Sequence, residues 1–505
     1  MELNSNVDYK MDIYCQLIDR LFPVLAVHHG HVFNNNIIFD EKEIEDVLLK
    51  AKKKLEYGTS PFYNTLLIRA FKQREMEQLC LRELHTKPQR WIDSSLSFIS
   101  ANWRTPKYYF ERFYLPDNIE MAANSLRKVD EYLSAAIFKT GVLDCFDTIS
   151  RIKYEMMSIK KVYDSMDIIP KSFYKEIEIF SNKFINKMML TKAISPFWIP
   201  LGKSNFEKYL LLETGVQMES DTVINDLVYL LKYIKNWEYI PDKSSIKQIT
   251  PQTLYSNLNK IFKLFSINSE EKNRLLNNLR YANNENILCY NVPLNFVYVA
   301  DMCINTEKDD SFVFLNRNIK LTENNILLKI AHEIYPGHLY TDLLRRNFRK
   351  INRIIGNKVI DEGWAKYSEF LVSLKSDSID VRSAFINKLK FIAELAYASM
   401  FVHTSGKNVK QCIDNVINVL NVSENQAKNL IIQVYKNPFE SIDYILGLGI
   451  VVALIKTELS IDYSKLILDI NYLYQNIMDF NAVYSYEQVS IRRIKKIIDV
   501  LKESN

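Results

Sequence analysis

Glycine and proline are both scarce, 11 and 13 among 505 residues. So few turn-formers cannot chop a chain of this length into many short strands, which leaves long helices as the natural reading. Cysteine is sparse too. Cys15, Cys80, Cys145, Cys289, Cys303 and Cys412 are far apart and form no CxxC pair, so free thiols in a reducing compartment are expected and a disulfide framework is not. Neither sign of charge dominates: 65 Lys and Arg stand against 60 Asp and Glu, a net +5 with no basic tract, and nucleic acid is not implied as a partner. Long apolar runs are missing as well. The longest, YILGLGIVVALI from Tyr444 to Ile455, falls short of the roughly 17–25 residues a membrane span needs. The opening MELNSNVDYKMDIYCQ has no apolar run behind a basic start, so no signal peptide and a cytoplasmic location are expected.

What is present is a chain 48% hydrophobic and 25% charged, ample for a large packed core. IEDVLLKAKKKLEYG, TVINDLVYLLKYIKNW, AFINKLKFIAELAYASMFV and IDYSKLILDINYLYQNIM repeat apolar residues at three- and four-residue intervals, the pattern of helices burying one face. The expected fold class is therefore mainly α. The clearest strand-like piece is SFVFLNRNIKL, Ser311 to Leu321, a small β-element just upstream of the histidine motif described next. SPFWIPLGK, residues 195–203, is a break that divides a helical N-terminal half, 1–200, from a half carrying the motifs, 201–505. The two are expected to form one continuous unit around a cleft.

The motif is AHEIYPGHLY, residues 331–340. Thr322 is a plausible N-cap, and Ile326, Leu327, Ile330 and Ile334 give the helix that follows an apolar face. In an unbroken helix His338, six residues beyond His332, would be turned away by roughly 240°, and the pair could not share an ion. Pro336 lacks an amide hydrogen and clashes with the preceding turn, and Gly337 accepts unusual backbone angles, so the helix should break there. His338 can then swing back toward His332. Catalytic zinc commonly takes three protein ligands and keeps an open position. The expected third is Glu362 in VIDEGWAKYSEFL, 24 residues after His338. Glu369 lies on nearly the same helical face and could orient a histidine from behind. Each of these residues alone has a plainer reading, such as an ion pair of Glu362 with Lys366. Jointly, two of only seven histidines around a glutamate and a Pro-Gly break point to a zinc site.

These residues resemble the bacterial family catalogued as domain of unknown function 885, regarded as zinc metallopeptidases. Its HExxPGH pattern matches His332, Glu333, Pro336, Gly337 and His338; its EGWAxYxE matches Glu362, Gly363, Trp364, Ala365, Tyr367 and Glu369. Weaker likeness runs through FPVLAVHHGHVFNNNIIFD (residues 22–40), FVFLN and PFESIDYILG. The resemblance implies a large helical metallopeptidase-like fold with Zn2+ as cofactor and a peptide or small amide as substrate. There are departures. Thr341 stands where the family usually has glutamine, His403-Thr404-Ser405 where it has Asp-Thr-Gly, Gln433 where an arginine is common, and Phe439-Glu440 in place of Gly-Gln. An arginine is the natural clamp for a terminal carboxylate, so its replacement points away from an ordinary carboxypeptidase. His28, His29 and His31 read as structural or as cleft wall, not as a second metal site.

The expected chemistry is hydrolysis of an amide or peptide bond. Zinc would acidify water toward a pKa of roughly 7, and Glu333, beside a ligand without being one, would be the general base. Tyr444, at the family's tyrosine position, is the candidate oxyanion donor, with His403 as the alternative. The strand from Phe312 to Leu315 could pair with an extended substrate. Two other readings stay open: a specialised amidase acting on a biosynthetic intermediate, and a metal-stabilised binding scaffold without catalysis.

Overall fold

Capping chemistry starts several of the helices. In the computed structural model the Thr250 hydroxyl accepts from the Thr253 amide while the Thr253 side chain receives the Thr250 amide, and Pro251 fills the first helical position of α3, Pro251–Leu264. The described residues are 200–214, 217–235, 244–280, 287–290, 302–307, 310–316, 320–345, 358–436, 438–455 and 490–503, with isolated positions Lys175, Ile179, Asn182, Trp237 and Tyr486. The segments expected as helices at 44–58 and 461–478, the cluster of His28, His29 and His31, and nearly all of the expected 1–200 half lie outside them.

Among the described residues the chain is mainly helical, as its composition implies. Before α3 come α1 (Lys203–Thr214) and α2 (Ser220–Lys235), and after it α4 (Ser269–Arg280). Then follow α5 (Glu323–Glu333), α6 (His338–Arg345), α7 (Lys358–Lys375), α8 (Ile379–Thr404), α9 (Val409–Leu420), α10 (Glu424–Lys436) and α11 (Glu440–Ile455). A 3-10 turn, Ile491–Arg493, leads into α12, Ile494–Glu503.

The chain divides into two compact units, one of Met1–Phe197 with Asn305–Phe312 and one of Trp198–Ile304 with Val313–Asn505. One boundary thus falls inside SPFWIPLGK, where Gly202 takes the left-handed φ of 83° immediately before α1.

The second unit is built around α7, α8 and α11. The 26-residue α8 packs against α2, α5, α7, α10 and α11, so it is apolar on several sides. YILGLGIVVALI forms most of α11, buried against α7 and α8. No helix among the described residues is long and apolar enough to cross a membrane. Along α7 a ladder of buried aromatics, Trp364 to Tyr367 at 5.7 Å and Tyr367 to Phe370 at 5.4 Å, continues to Phe385 of α8 at 6.2 Å. Each such side chain contributes about 1.5–3 kcal/mol on burial. The two helices also meet through glycine: a Cβ on Gly363 would lie 2.1 Å from the Gly447 carbonyl carbon of α11, and one on Gly447 would lie 1.9 Å from the Val359 oxygen.

The strands are short. β1 (Ile246–Gln248) pairs antiparallel with β5 (Lys320–Thr322), and β4 (Asp310–Asn316) lies between β2 (Ile287–Tyr290) and β3 (Met302–Glu307), running parallel to β2. The single strand expected over 311–321 is thus two strands in different sheets. β4 also has neighbours on both edges, so the expectation that it pairs with substrate fails for want of a free edge. β5 does a different job. Its last residue, Thr322, caps α5 by accepting from the Asn325 amide, and Glu323 at the first turn is gripped by Lys247 of β1 at 3.0 Å and Lys260 of α3 at 2.7 Å. Those two lysines hold the Glu323 carboxyl down to about 2.

Candidate metal centre

The apolar face of α5 buries Ile326, Leu327 and Ile330, and with them His332 and Glu333 at its C-terminal end. The helix stops at Glu333 and a new one begins at His338. Across the intervening turn the Tyr335–Pro336 peptide is cis, and the Tyr340 amide reaches back to the Ile334 carbonyl at 3.0 Å. Gly337 is required for a reason other than the one expected. Its φ is not left-handed; a Cβ there would lie 1.8 Å from the His332 carbonyl oxygen and 2.4 Å from that of Ala331. The turn therefore doubles back so tightly that only glycine fits.

That fold-back brings the imidazoles together, with ring centroids 4.9 Å apart and planes nearly perpendicular at 88°. α7 supplies the third group. The buried Trp364 indole donates to the Pro336 carbonyl at 2.8 Å, tying α7 to the turn and setting Glu362, half a turn earlier, against both histidines. Glu362 Oε2 is 3.3 Å from His332 Nε2 and 3.5 Å from His338 Nε2. Candidate ligand atoms of the three residues all lie within 4.8 Å of one another.

The spacing can be compared with zinc chemistry. Ligands about 2.0–2.1 Å from one ion at tetrahedral angles stand roughly 3.4 Å apart, which matches the two Glu362 contacts. Glu362 Oε2 is moreover a buried carboxylate oxygen whose contacts with the two imidazole nitrogens are ion-pair contacts outside hydrogen-bonding geometry, an arrangement that suits a cation between the three groups. The residues could hold a divalent cation such as zinc. In the metal-free protein, burial would raise the Glu362 carboxyl, but the two imidazoles outweigh it and hold the group well below the usual range. Burial likewise opposes protonation of His338, yet the Glu362 carboxylate raises it to about 8.

Around these three lie further charged groups. Glu369, seven residues along α7, is fully buried, and its Oε1 is 2.9 Å from His332 Nδ1, so it stands behind that ligand. Its oxygens also meet two lysines, Lys366 Nζ at 2.7 Å on Oε1 and Lys388 Nζ of α8 at 3.1 Å on Oε2. Burial pushes the Glu369 carboxyl up, and the two lysines and His332 bring it well below the ordinary value. Lys366 is thus committed to Glu369, not to the helical ion pair with Glu362 that spacing alone suggests. Glu333 is buried and carries Lys329, one turn earlier on α5, at 3.0 Å.

Tyr444 comes from the first turns of α11. Its ring centroid is 6.0 Å from that of His332, and Lys366 Nζ sits 5.1 Å from it. Burial and the Glu362 charge keep its hydroxyl well above the usual phenol value, so it is a neutral donor at any working pH.

His403 is elsewhere. It is fully buried, stacked between Phe206 at 5.6 Å and Tyr435 at 6.1 Å. Its Nδ1 accepts from the Leu201 amide at 3.2 Å, which leaves Nε2 to donate to the Val434 carbonyl at 3.2 Å. Both ring nitrogens are engaged with backbone, so the reading of His403 as an alternative oxyanion donor is corrected: it anchors the start of α1 to α8 and α10. Two of the other positions that depart from the resembled pattern, Thr341 and Phe439, make local packing contacts. The Thr341 hydroxyl donates to the His338 carbonyl at 2.9 Å, and Phe439 packs against Phe206 at 4.9 Å.

Sequence reasoning placed Lys366 against Glu362 and not against Glu369, and did not reach Lys388 or Lys329. Two of them carry a local signal, Lys366 three residues before Glu369 and Lys329 four before Glu333. Lys388 arrives from another helix, and nothing local marks it.

No family model and no curated protein matches the chain. Solved structures similar to it include two chains. One is the "putative lipoprotein from Colwellia psychrerythraea", 12% identical with a TM-score of 0.49 over 98% of this chain and 99% of that one. The other is "a putative lipoprotein of unknown function from Shewanella oneidensis", 11% identical with a TM-score of 0.49 over 98% of each chain.

Proposed function

We propose that this chain is a zinc-dependent hydrolase that cleaves a peptide or amide bond. The observation carrying the reading is the convergence of His332, His338 and Glu362 on a point flanked by a buried Glu333 and by Tyr444. A zinc ion there supplies Lewis acidity, polarising a carbonyl and bringing the pKa of water toward roughly 7. The protein does the rest. Glu333 takes the proton of the attacking water and delivers it to the leaving nitrogen, a contribution of about 10²–10⁴ in rate. Lys329 holds that carboxylate in place from one turn away. The Tyr444 hydroxyl donates to the oxygen on which negative charge develops. Glu369 fixes His332 so that Nδ1 points away from the ligand cluster and Nε2 into it.

A narrower substrate range is favoured by the replacement of the expected carboxylate clamp. Gln433 stands where the resembled family commonly has arginine, and Phe439, six residues further on, is core, which suits a specialised small amide better than a general peptide.

Incubation of the zinc-loaded protein with a peptide mixture and an amide library, read by mass spectrometry beside Glu333→Gln, tests the reading. Cleavage by the wild type and its loss in the variant, with zinc retained in both, is expected. Peptide ladders would mark a peptidase, and single amide products a specialised amidase. Bound zinc with no cleavage by either protein would favour a metal-stabilised scaffold.

A further inference from the structure

One histidine ligand needs one acceptor behind it, yet Glu369 is also met by two lysines from two helices. Burying ammonium groups is costly unless they are paired, and Lys366 is almost wholly buried, its side chain 9% exposed. Packing α7 against α8 does not require this expense, because the aromatic ladder already joins them. We propose that Lys366 and Lys388 are positioning residues of the metal centre, acting on His332 through Glu369. Lys366 shares Oε1 with His332 Nδ1, and Lys388 holds Oε2 from α8. With Lys366 hydrogen-bonded to Oε1 and Lys388 in ion-pair contact with Oε2, the carboxylate is held 2.9 Å from His332 Nδ1, an ion-pair contact that is not in hydrogen-bonding geometry. Its charge behind the ring keeps the Nε2 side of His332 facing Glu362 and His338. Lys366 has a second fixed contact, the ring of Tyr444, so the same ammonium also relates the proposed oxyanion donor to the ligand set.

Two effects of opposite sign compete here. Two ammonium charges near the centre repel a dication and would weaken its binding; a fixed ligand strengthens it. Removing a lysine therefore tightens zinc binding if charge dominates and loosens it if positioning does. Groups behind a histidine ligand typically account for about 10–100-fold in metal affinity.

The role presupposes the metal centre proposed above. Its test is competition of the protein with a chelator for Zn2+, using wild type, Lys388→Met, Lys388→Arg, Glu369→Gln and the Lys388→Met/Glu369→Gln double variant. Lys388 is the better lysine to replace because its side chain is 26% exposed, so methionine can occupy its place; circular dichroism and a thermal transition check the fold. Lys388→Met is expected to bind zinc about 10-fold or more weakly, Lys388→Arg to recover most of the loss, and Lys388→Met to add nothing once Glu369 is glutamine. The nitrogen-15 shifts of the His332 ring should report a single Nδ1–H tautomer in wild type and a mixture in Lys388→Met. Equal or tighter zinc binding by a folded Lys388→Met, or the same loss in the Glu369→Gln background, would overturn the positioning role alone. A wild type that takes up no zinc would overturn the metal centre and this role together.

Discussion

Tyr444 and His338 carry the most direct consequences for single residues. Replacing Tyr444 with phenylalanine keeps the ring beside His332 and Lys366 and removes only the hydroxyl. Turnover should fall by roughly 10²–10³ while zinc affinity stays at the wild-type level, which steady-state kinetics and a zinc titration on the same sample would separate. His338 predicts a pH dependence whose sign depends on the metal. In metal-free protein its value is raised from 6.5 to about 8, so the charged imidazole stabilises the fold fully below pH 6.5, and that contribution is lost as pH rises through 8. Urea denaturation of chelator-treated protein across this window should show stability falling by on the order of 1–2 kcal/mol, with the slope absent in His338→Gln. Zinc must displace the same proton, so zinc affinity should rise over the window in which metal-free stability falls. At this scale the sequence was legible where chemistry constrains spacing. The grouping of His332, His338 and Glu362 was legible because two histidines six apart can meet only around a break, and the proposed zinc site asks for a third ligand. His403 was misjudged because its two backbone partners and two stacking rings come from α1, α10 and the segment before α1, which no local pattern reveals.

For the helices, the decisive contact is the meeting of α7 and α11 at Gly363 and Gly447. α7 carries Glu362 and α11 carries Tyr444, so the backbone approach at these glycines sets the distance between a proposed ligand and the proposed donor. Gly363→Ala would place a methyl 2.1 Å from the Gly447 carbonyl carbon, and no flexible side chain can yield because the obstacle is backbone. Thermal or urea denaturation should show a loss of about 1–3 kcal/mol or more, with a larger fall in turnover than in zinc uptake, since His332 and His338 reside on α5 and α6. Helix existence was readable from apolar periodicity in α2 and α8, and Thr322 from its position before an apolar run. The strands were not. Lys320 to Thr322 follows an apparently continuous β-rich run, but its partner is β1, whose three residues, Ile246 to Gln248, are all exposed and give no alternating pattern.

Across the second unit, the C-terminal 3-10 turn and α12 are joined to α2 through one buried carboxylate. Asp226 accepts from the Tyr486 hydroxyl at 3.1 Å, from the Ser490 hydroxyl and from Arg492 Nε, linking positions more than 250 residues apart in the chain. Asp226→Ala would leave two hydroxyls and a guanidinium without their acceptor and should cost about 2–4 kcal/mol in equilibrium unfolding, with zinc binding to the folded fraction unchanged because none of these groups touches the metal ligands. A lone Asp within TVINDLVYLLKYIKNW offers no hint of this role, since its partners lie at the far end of the chain. The central claim concerns a single point in the second unit, where α5, α6 and α7 converge. Anomalous diffraction at the zinc edge from crystals of the zinc-loaded protein tests it most directly: one peak is predicted about 2.0–2.2 Å from His332 Nε2, His338 Nε2 and a Glu362 carboxylate oxygen. A zinc-saturated crystal with no peak there, or with its peak on other residues, would contradict the account.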